Sequence, residues 1–274
     1  MKYLVLGSSG QVGNALCKYL KSKKHDVYKF DIIDGENYDL RICNNLILKQ
    51  YIEECDFVFF LAFDVGGSRY LKKYQHTFEF IDNNLKILSN TFELLKQYKT
   101  PFIFASSQMS NMSFSPYGVS KSLGELLTKT LNGLVVKFWN VYGIEEDLEK
   151  SHVITDFVIK AIDTGSIDML TDGEEERQFL YSYDCSEALY ILSLQYDEVS
   201  RDKQLHITNF KWNKIIDIAN IIQKLIPCKI IKGKATDSLQ QNQKNEPDNY
   251  IKTFWSPKTS LEEGIKQIIS FYKK

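Results

Sequence analysis

A tyrosine and a lysine four residues apart, Tyr117 and Lys121, stand in the stretch SPYGVSK. This spacing puts both side chains on one face of a helix. Ser115 and Pro116 precede them as an N-cap and a first helical residue, so Tyr117 lies in a first turn, where negative charge is favoured. A phenol with a pKa of ~10 is a poor base at neutral pH, but a neighbouring ammonium favours the phenolate. Tyr117 is therefore a candidate general base.

Two serines, Ser106 and Ser107, end the apolar run FIFASS shortly before this tyrosine. We expect Ser107 to hold the substrate oxygen whose proton Tyr117 removes, and Ser106 remains the alternative. The Tyr-x-x-x-Lys spacing alone proves little, because it also occurs at Tyr19 and Lys23. Only the copy at 117 follows a predicted strand that ends in serines, which makes it the candidate catalytic pair.

Three glycines, Gly7, Gly10 and Gly13, follow the first apolar run in YLVLGSSGQVG. The first allows a tight turn, the second lets a pyrophosphate approach the backbone, and the third permits close packing of helix on strand. The helix N-terminus then faces the phosphates of a dinucleotide. Asp31 ends the next predicted strand, where a carboxylate binds the adenosine ribose and repels a 2'-phosphate. The sequence therefore predicts NAD rather than NADP, although strand alternation puts Lys29 on the same face as Asp31.

Apolar, strand-like runs alternate with helical patterns through the first half of the chain. Such alternation predicts a parallel sheet with helices on both faces, whose ligands bind at the carboxyl ends of the strands. The predicted strands are 2–6, 27–30, 57–62, 101–105 and 134–139, and the predicted helices are 11–23, 44–54, 77–98 and 116–132. The predicted fold class is α/β, a Rossmann-type doubly wound parallel sheet with a smaller C-terminal substrate-binding lobe.

The pattern changes after about Tyr142. We expect a helix near 152–163, another from about Trp212 to Leu225, a polar loop at 233–250, and a last helix that Ser260 and Glu263 begin with a capping box. These patterns predict two units. The NAD-binding Rossmann domain takes 1–143, with 180–210 returning to it, and the substrate-binding lobe takes 144–179 and 211–274.

Composition and charge narrow the class of protein. The chain has 274 residues, of which 43% are hydrophobic, and a net charge of -1, so we expect a sizeable core and no nucleic-acid partner. No apolar run approaches ~18 residues and no signal-peptide pattern is present, so we expect no membrane association. The five scattered cysteines favour free thiols in the cytoplasm, and the four histidines show no spacing typical of a metal site.

Further stretches resemble the extended short-chain dehydrogenases/reductases of the NAD-dependent epimerase/dehydratase family, which act on nucleotide-diphosphate sugars. The resemblance covers nearly the whole chain and rests on GSSGQVG, FLAFDVGG, IDNNL, YGVSK, FWNVYG, RQFLYSYD and WSPKTSLEEGI. Besides the residues already named, it implies cofactor contacts at Gln11, Val12, Asp39, Leu40, Leu61, Ala62, Tyr117 and Lys121, with Asp39 and Leu40 near the adenine. It implies substrate contacts at Asn84, Asn140 and Arg177. A guanidinium fork such as that of Arg177 matches diphosphate oxygens.

The stretch DVGGSRY is similar to the segment that faces the hexose in the GDP-mannose 3,5-epimerase and GDP-fucose synthase branch. On that resemblance Gly66 and Gly67 leave room for a GDP-linked sugar. Gln108 and Met109 stand where 3,5-epimerases carry a proton-transferring cysteine and 4,6-dehydratases an Asp-Glu pair. Hydride transfer at C4 requires neither the cysteine nor the Asp-Glu pair. We therefore expect a 4-dehydrogenase, such as a GDP-heptose 4-dehydrogenase, or a 4-epimerase in capsule or polysaccharide biosynthesis.

Two other functions stay open. A 4-ketosugar reductase is the alternative enzyme, although Asp31 argues against the usual NADPH. A non-catalytic dinucleotide-binding sensor is the alternative from another class, and the intact Ser107, Tyr117 and Lys121 argue against it. In this family the counterparts of 77–98 and 116–132 pair across a two-fold axis, so we expect a homodimer built on a four-helix bundle.

Overall fold

The computed structural model describes residues 1–235 and 245–273. Its strands are β1 Lys2–Leu6, β2 Asp26–Phe30, β3 Phe57–Phe60, β4 Phe102–Ser107, β5 Leu134–Phe138, β6 Asn140–Tyr142, β7 Ser166–Asp168, β8 Glu176–Tyr181, β9 Leu205–Ile207, β10 Trp212–Lys214 and β11 Lys229–Ile231. Within these ranges six strands pair in parallel in the order β2-β1-β3-β4-β5-β9. This sheet confirms the predicted fold class.

Helices cover both faces of the sheet, as a doubly wound fold requires. They are α1 Gln11–Ser22, α2 Leu46–Glu54, α3 Ser68–Tyr74, α4 Phe78–Tyr98, α5 Pro116–Thr130, α6 Val153–Asp163, α7 Ser182–Leu194, α8 Ile215–Leu225 and α9 Leu261–Tyr272. Residues of α1 and α7 share one apolar cluster with the sheet, and residues of α2 and α4 share another on the opposite face. The central strands β3 and β4 are buried along their whole length, which explains their unbroken apolar sequences.

Smaller sheets lie beyond β5. β8 pairs in parallel with β6 and antiparallel with β10, and β7 pairs in parallel with β11. A third apolar cluster joins side chains of α6, α8 and α9. As expected, Ser260 and Glu263 form a capping box at the start of α9.

Several observed helices and strands begin or end at residues other than those predicted, because pairing with a neighbouring strand decides where they end. β4 continues to Ser107, because both serines still pair with β5. The helix expected from Trp212 begins only at Ile215, since the three residues before it pair with β8 as β10. The sequence patterns do not predict α3, and residues 236–244 of the loop predicted at 233–250 lie outside the described ranges. None of the described helices is long and apolar enough to cross a membrane.

Candidate active site

A cavity of about 1050 Å³ opens at the carboxyl ends of the parallel strands. It collects nearly all of the residues that the sequence analysis singled out, from both the cofactor and the substrate sets. These lining residues are Gly7, Gly10, Gln11, Val12, Gly13, Asp31, Asp39, Leu40, Leu61, Ala62, Gly66, Gly67, Ser107, Tyr117, Lys121, Asn140 and Arg177. The roles predicted for them remain predictions, but the fold brings the side chains to one place.

The three glycines of the first loop meet different surroundings. Gly7 has a positive φ of 81°, and a Cβ there would lie 2.7 Å from the backbone nitrogen of Ala62. A Cβ on Gly13 would collide with the Gly7 carbonyl oxygen. A Cβ on Gly10, the N-cap of α1, would meet only the Gly7 oxygen at 3.5 Å and otherwise project into open space. This cradle at a helix N-terminus fits the pyrophosphate of a dinucleotide.

The carboxylate of Asp31 is fixed at the edge of this loop. It accepts hydrogen bonds from the backbone N–H groups of Ser9 at 2.9 Å and Ile33 at 3.3 Å. Lys29 is exposed and is not among the cavity-lining residues described, whereas Ile32 and Ile33 line the cavity beside Asp31. The neighbourhood of Asp31 therefore offers a carboxylate and apolar surface, which fits an adenosine without a 2'-phosphate.

Asp39 is already paired within the protein. Arg41 donates to both of its carboxylate oxygens, with a closest contact of 2.7 Å. The guanidinium also donates to the Asn83 side chain at 3.0 Å. Arg41 is a lining residue that the sequence analysis did not connect with the site, and it fixes the carboxylate of Asp39 in one orientation. The predicted contacts of Asp39 and Leu40 with adenine stay predictions.

The two serines at the end of β4 point to different partners. The Ser106 hydroxyl donates to the Glu125 carboxylate at 2.5 Å. The Ser107 side chain accepts from the backbone N–H of Met109 at 3.2 Å, and it lies near enough to the Tyr117 hydroxyl to lower the pKa of that phenol. Geometry therefore favours Ser107 over Ser106 as the serine beside the candidate base.

Tyr117 and Lys121 are both buried beneath the cavity, where exposure falls to 9% and 3%. Burial raises the pKa of Tyr117 to about 12, and the bond from Ser107 opposes this rise. Burial also lowers the pKa of Lys121 to about 7, against the favourable charge of Glu125. The Lys121 ammonium donates to the Ala105 carbonyl at 2.6 Å. Within the protein alone, burial disfavours the charged form of both groups.

Gly66 and Gly67 allow close contacts within the protein. A Cβ on Gly66 would lie 2.8 Å from Cβ of Tyr70, and a Cβ on Gly67 would collide with the Ser151 carbonyl oxygen. Gly67 also donates its N–H to the Lys150 carbonyl at 3.0 Å. The glycines thus let the segment before α6 close over this loop. Space for a sugar beside them stays a prediction.

Asn84 needs a correction. Its side chain is fully buried and bonds the backbone of Asp64 through both its oxygen and its nitrogen, at 2.8 and 3.1 Å. The nitrogen also donates to the Phe80 carbonyl at 3.0 Å. Asn84 therefore holds the loop after β3 from behind rather than facing the cavity, and its neighbour Asn83 is the lining residue. The rotation of α4 about its own axis decides whether Asn83 or Asn84 faces the cavity. A single sequence does not reveal this rotation.

Asn140 and Arg177 lie on neighbouring strands that reach the cavity. Asn140 begins β6 and donates to the Gln178 carbonyl at 3.4 Å. Arg177 lies on β8, and its guanidinium donates to the Glu176 carbonyl at 2.8 Å. β6 and β8 pair in parallel with Asn140 opposite Phe179, and both Asn140 and Arg177 line the cavity.

Two polar pairs in the cavity were missed from the sequence. The Tyr70 hydroxyl donates to the Asp64 carboxylate at 2.6 Å. His152 Nδ1 lies 2.6 Å from the carboxylate of Glu145, which is almost completely buried. All four residues line the cavity. The sequence offers no motif for either pair, because each depends on a loop contact between separate elements.

Comparison with known proteins identifies the family. The chain matches the model of the NAD dependent epimerase/dehydratase family over residues 3–208. It belongs to this family. The match confirms the predicted extended short-chain dehydrogenase/reductase assignment and NAD as the cofactor, and it makes the protein an NAD-dependent nucleotide-sugar enzyme.

Relatives by sequence carry different nucleotide sugars in their names. An uncharacterized UDP-glucose epimerase of Bacillus subtilis is 23% identical over 321 residues, which cover 99% of this chain and 98% of that protein. GDP-L-fucose synthase of Sinorhizobium fredii is 30% identical over 135 residues, which cover 46% of this chain and 42% of that protein.

Solved structures show the same fold over the full chain. UDP-glucose 4-epimerase of Thermotoga maritima has a TM-score of 0.78 at 19% identity and covers 100% of this chain and 99% of that one. A GDP-6-OMe-4-keto-L-xylo-heptose reductase of Campylobacter jejuni has a TM-score of 0.84 at 16% identity and covers 99% and 97%. At such identities the likeness concerns the fold alone.

Proposed function

We propose that this protein oxidises C4 of a GDP-linked sugar with NAD, either as a 4-dehydrogenase or as a 4-epimerase that regenerates its cofactor. The observation that carries the proposal is the convergence of Ser107, Tyr117 and Lys121 in the cavity that also contains the glycine cradle. The loop of Gly7 and Gly10, with Asp31, would hold the dinucleotide. NAD, when bound, supplies the acceptor for the hydride that leaves C4.

The protein's own groups would manage the proton. The Ser107 hydroxyl orients the sugar oxygen and Tyr117 removes its proton as general base. Lys121 in its charged form favours the phenolate of Tyr117, because opposite charges nearby lower the pKa of a phenol. In the folded chain burial sets the pKa of Tyr117 to about 12, so this charge is needed for base catalysis near neutral pH.

The GDP branch rests on the stretch DVGGSRY and on the likeness to GDP-L-fucose synthase. We propose that the lobe built from 144–179 and 211–274 receives the sugar nucleotide, with Asn140 and Arg177 as contacts, and that 180–210 belongs with the Rossmann domain. The pairing of β9 with β5 and the packing of α7 on α1 support that division.

We also propose a homodimer. Three apolar side chains of α5 form an exposed stripe at helical spacing, Val119, Leu123 and Leu126, and the neighbouring α4 exposes Leu85. An unpartnered stripe of this kind on two adjacent helices suits a four-helix bundle across a two-fold axis. Sedimentation should give a dimer, and a monomer at every concentration would contradict the proposal.

One experiment tests the function. Purified protein is denatured and the released dinucleotide identified, and intact enzyme is then incubated with matched panels of GDP-sugars and UDP-sugars. We expect NAD or NADH to be released, and a GDP-sugar to give either a 4-keto product lighter by two hydrogens or a C4 epimer of unchanged mass that chromatography separates. Turnover of UDP-sugars alone would reject the GDP assignment. Reduction of 4-keto sugars without oxidation of any sugar would favour the reductase, and no turnover at all would favour the sensor.

A further inference from the structure

Two groups that no motif connects with Lys121 act on its ammonium. Its Nζ is 3.7 Å from the centre of the Phe63 ring, which lines the cavity just after the end of β3. Glu125 lies one turn further along α5, and its carboxylate favours the charged form of Lys121. Phe63 belongs to the cavity wall, whereas Glu125 lies on the same helix as Lys121.

The Phe63 ring touches both members of the candidate catalytic pair. It presents its face to the Lys121 ammonium and packs edge-on against the Tyr117 ring, with the centroids 5.9 Å apart and the planes at 79°. A cation over an aromatic face is attracted by the electron-rich ring, and desolvation strengthens the attraction. The Phe104 and Tyr117 rings are more distant from the ammonium, at 5.1 and 5.8 Å.

Glu125 is held in place by two other side chains. Ser106 on β4 donates to its carboxylate at 2.5 Å, and Lys137 on β5 lies 3.4 Å from the same oxygen. The carboxylate side chain is 14% exposed, so its charge is only weakly screened by solvent. The Ser106 hydroxyl thus fixes the position of the carboxylate that favours the charged form of Lys121.

We propose that Phe63 and Glu125 are positioning residues that hold Lys121 in its charged form beside Tyr117. The proposal rests on the proposed function, because it assumes that the charge on Lys121 serves the base. Burial opposes this charge and leaves the pKa of Lys121 at about 7. Among the described residues, the titratable groups that act on the ammonium are Tyr117 and Glu125 on α5, and Glu125, which is paired with Lys137 on β5, brings the negative charge.

Titration of Lys121 by NMR tests the proposal without any sugar nucleotide. The protein carries lysine labelled with ¹³C at Cε, and the Lys121 signal is assigned by its loss in Lys121→Arg. In Phe63→Leu we expect the acid dissociation constant of Lys121 to rise about 3- to 30-fold, the usual range for a cation on an aromatic face. Phe63→Tyr keeps the ring face and should restore the wild-type titration.

Glu125→Gln should also raise the dissociation constant, because a charge of opposite sign is lost. Glu125→Asp keeps the charge and serves as the second variant if Glu125→Gln does not fold. Phe59→Leu is the matched control, since Phe59 is buried in the sheet on β3 and makes no contact with Lys121 described in the structure. It should leave the Lys121 titration unchanged.

An unchanged titration in Phe63→Leu, or an equal change in Phe63→Tyr, would overturn the role of the ring. An unchanged titration in Glu125→Gln would overturn that of the carboxylate. Because this readout needs no turnover, it stays informative even if the proposed reaction is wrong. If the reaction is right, the alkaline fall of the rate in Phe63→Leu should move to lower pH, as Lys121 loses its proton earlier.

Discussion

Tyr19 and Lys23 near the end of α1 have the same spacing as Tyr117 and Lys121 at the start of α5. Lys23 is exposed, and its Nζ lies 5.2 Å from the centre of the Tyr19 ring. Lys121 is buried, and its Nζ contacts the Ala105 carbonyl at the end of β4. Helical spacing is therefore common to both pairs, and only the second is joined to a strand end that opens into the cavity.

The two tyrosines also show why a shifted pKa does not identify a base. Burial raises the pKa to about 12 in both. At Tyr19 the carboxylate of Glu187 raises it further, because a negative neighbour disfavours a phenolate. At Tyr117 the Ser107 hydroxyl opposes the rise. The difference lies in the partners, and substitutions that remove the partners test it.

The largest effect should come from Tyr117→Phe, which removes one oxygen and keeps the ring. If Tyr117 is the base, turnover should fall by ~10² to 10⁴, the usual contribution of a positioned acid-base group. NAD affinity, measured by calorimetry, should change little, because the glycine loop and Asp31 hold the dinucleotide. Tyr19→Phe is the matched control and should change neither quantity. Near-normal turnover in Tyr117→Phe would show that the proposed mechanism is wrong.

Lys121→Ala should come next. Loss of a positive charge beside a phenol raises its pKa by ~1 to 3 units, so the rate near neutral pH should fall by roughly 10- to 10³-fold. NAD should also bind more weakly, since we expect this ammonium to bond the nicotinamide ribose. Lys23→Ala, in the other pair, should leave both steady-state rate and affinity unchanged. If Lys121→Ala retained the full rate, Lys121 would have no role in the proposed mechanism.

Ser107→Ala should shift the pH dependence of the rate. The Ser107 bond lowers the pKa of Tyr117, so its loss raises that pKa and moves the rising limb of the rate to higher pH. A hydrogen bond to a charged group corresponds to a shift of roughly one to two pH units. Ser106→Ala should move this limb much less, because its hydroxyl bonds Glu125 and acts on Tyr117 only through the charge of Lys121. The reverse pattern would exchange the roles of the two serines.

Asp31→Ala should give the smallest effect. Loss of a carboxylate that bonds the ribose should weaken NAD binding by about 10-fold and reduce discrimination against NADP, which dissociation constants for both dinucleotides would measure. Lys29→Ala should change NAD binding little, since Lys29 points to solvent. A wild-type protein that prefers NADP would contradict the assignment of Asp31.

Sequence patterns predicted the strands, the glycine loop and the Tyr117–Lys121 pair because each depends on local periodicity or on glycine conformation. Sequence patterns do not predict which side chain of one helix or strand faces a neighbouring element. Alternation along β4 separates Ser106 from Ser107, but which one meets α5 depends on how the helix packs against the sheet. The same holds for Asn84, whose amide turned out to bond Asp64 rather than face the cavity. Phe63 looked like one more apolar residue after a strand, and only the fold brings it to Lys121.

Hydride transfer from C4 is the central claim, and isotopic labelling measures it directly. A GDP-sugar that the enzyme accepts is prepared with deuterium at C4, a single turnover with enzyme-bound NAD is stopped with acid-free denaturant, and the dinucleotide is analysed by mass spectrometry. Wild-type protein should give NADH that carries deuterium, and Tyr117→Phe should give far less of it at the same time. Deuterium that stays wholly in the sugar while NADH forms would contradict oxidation at C4.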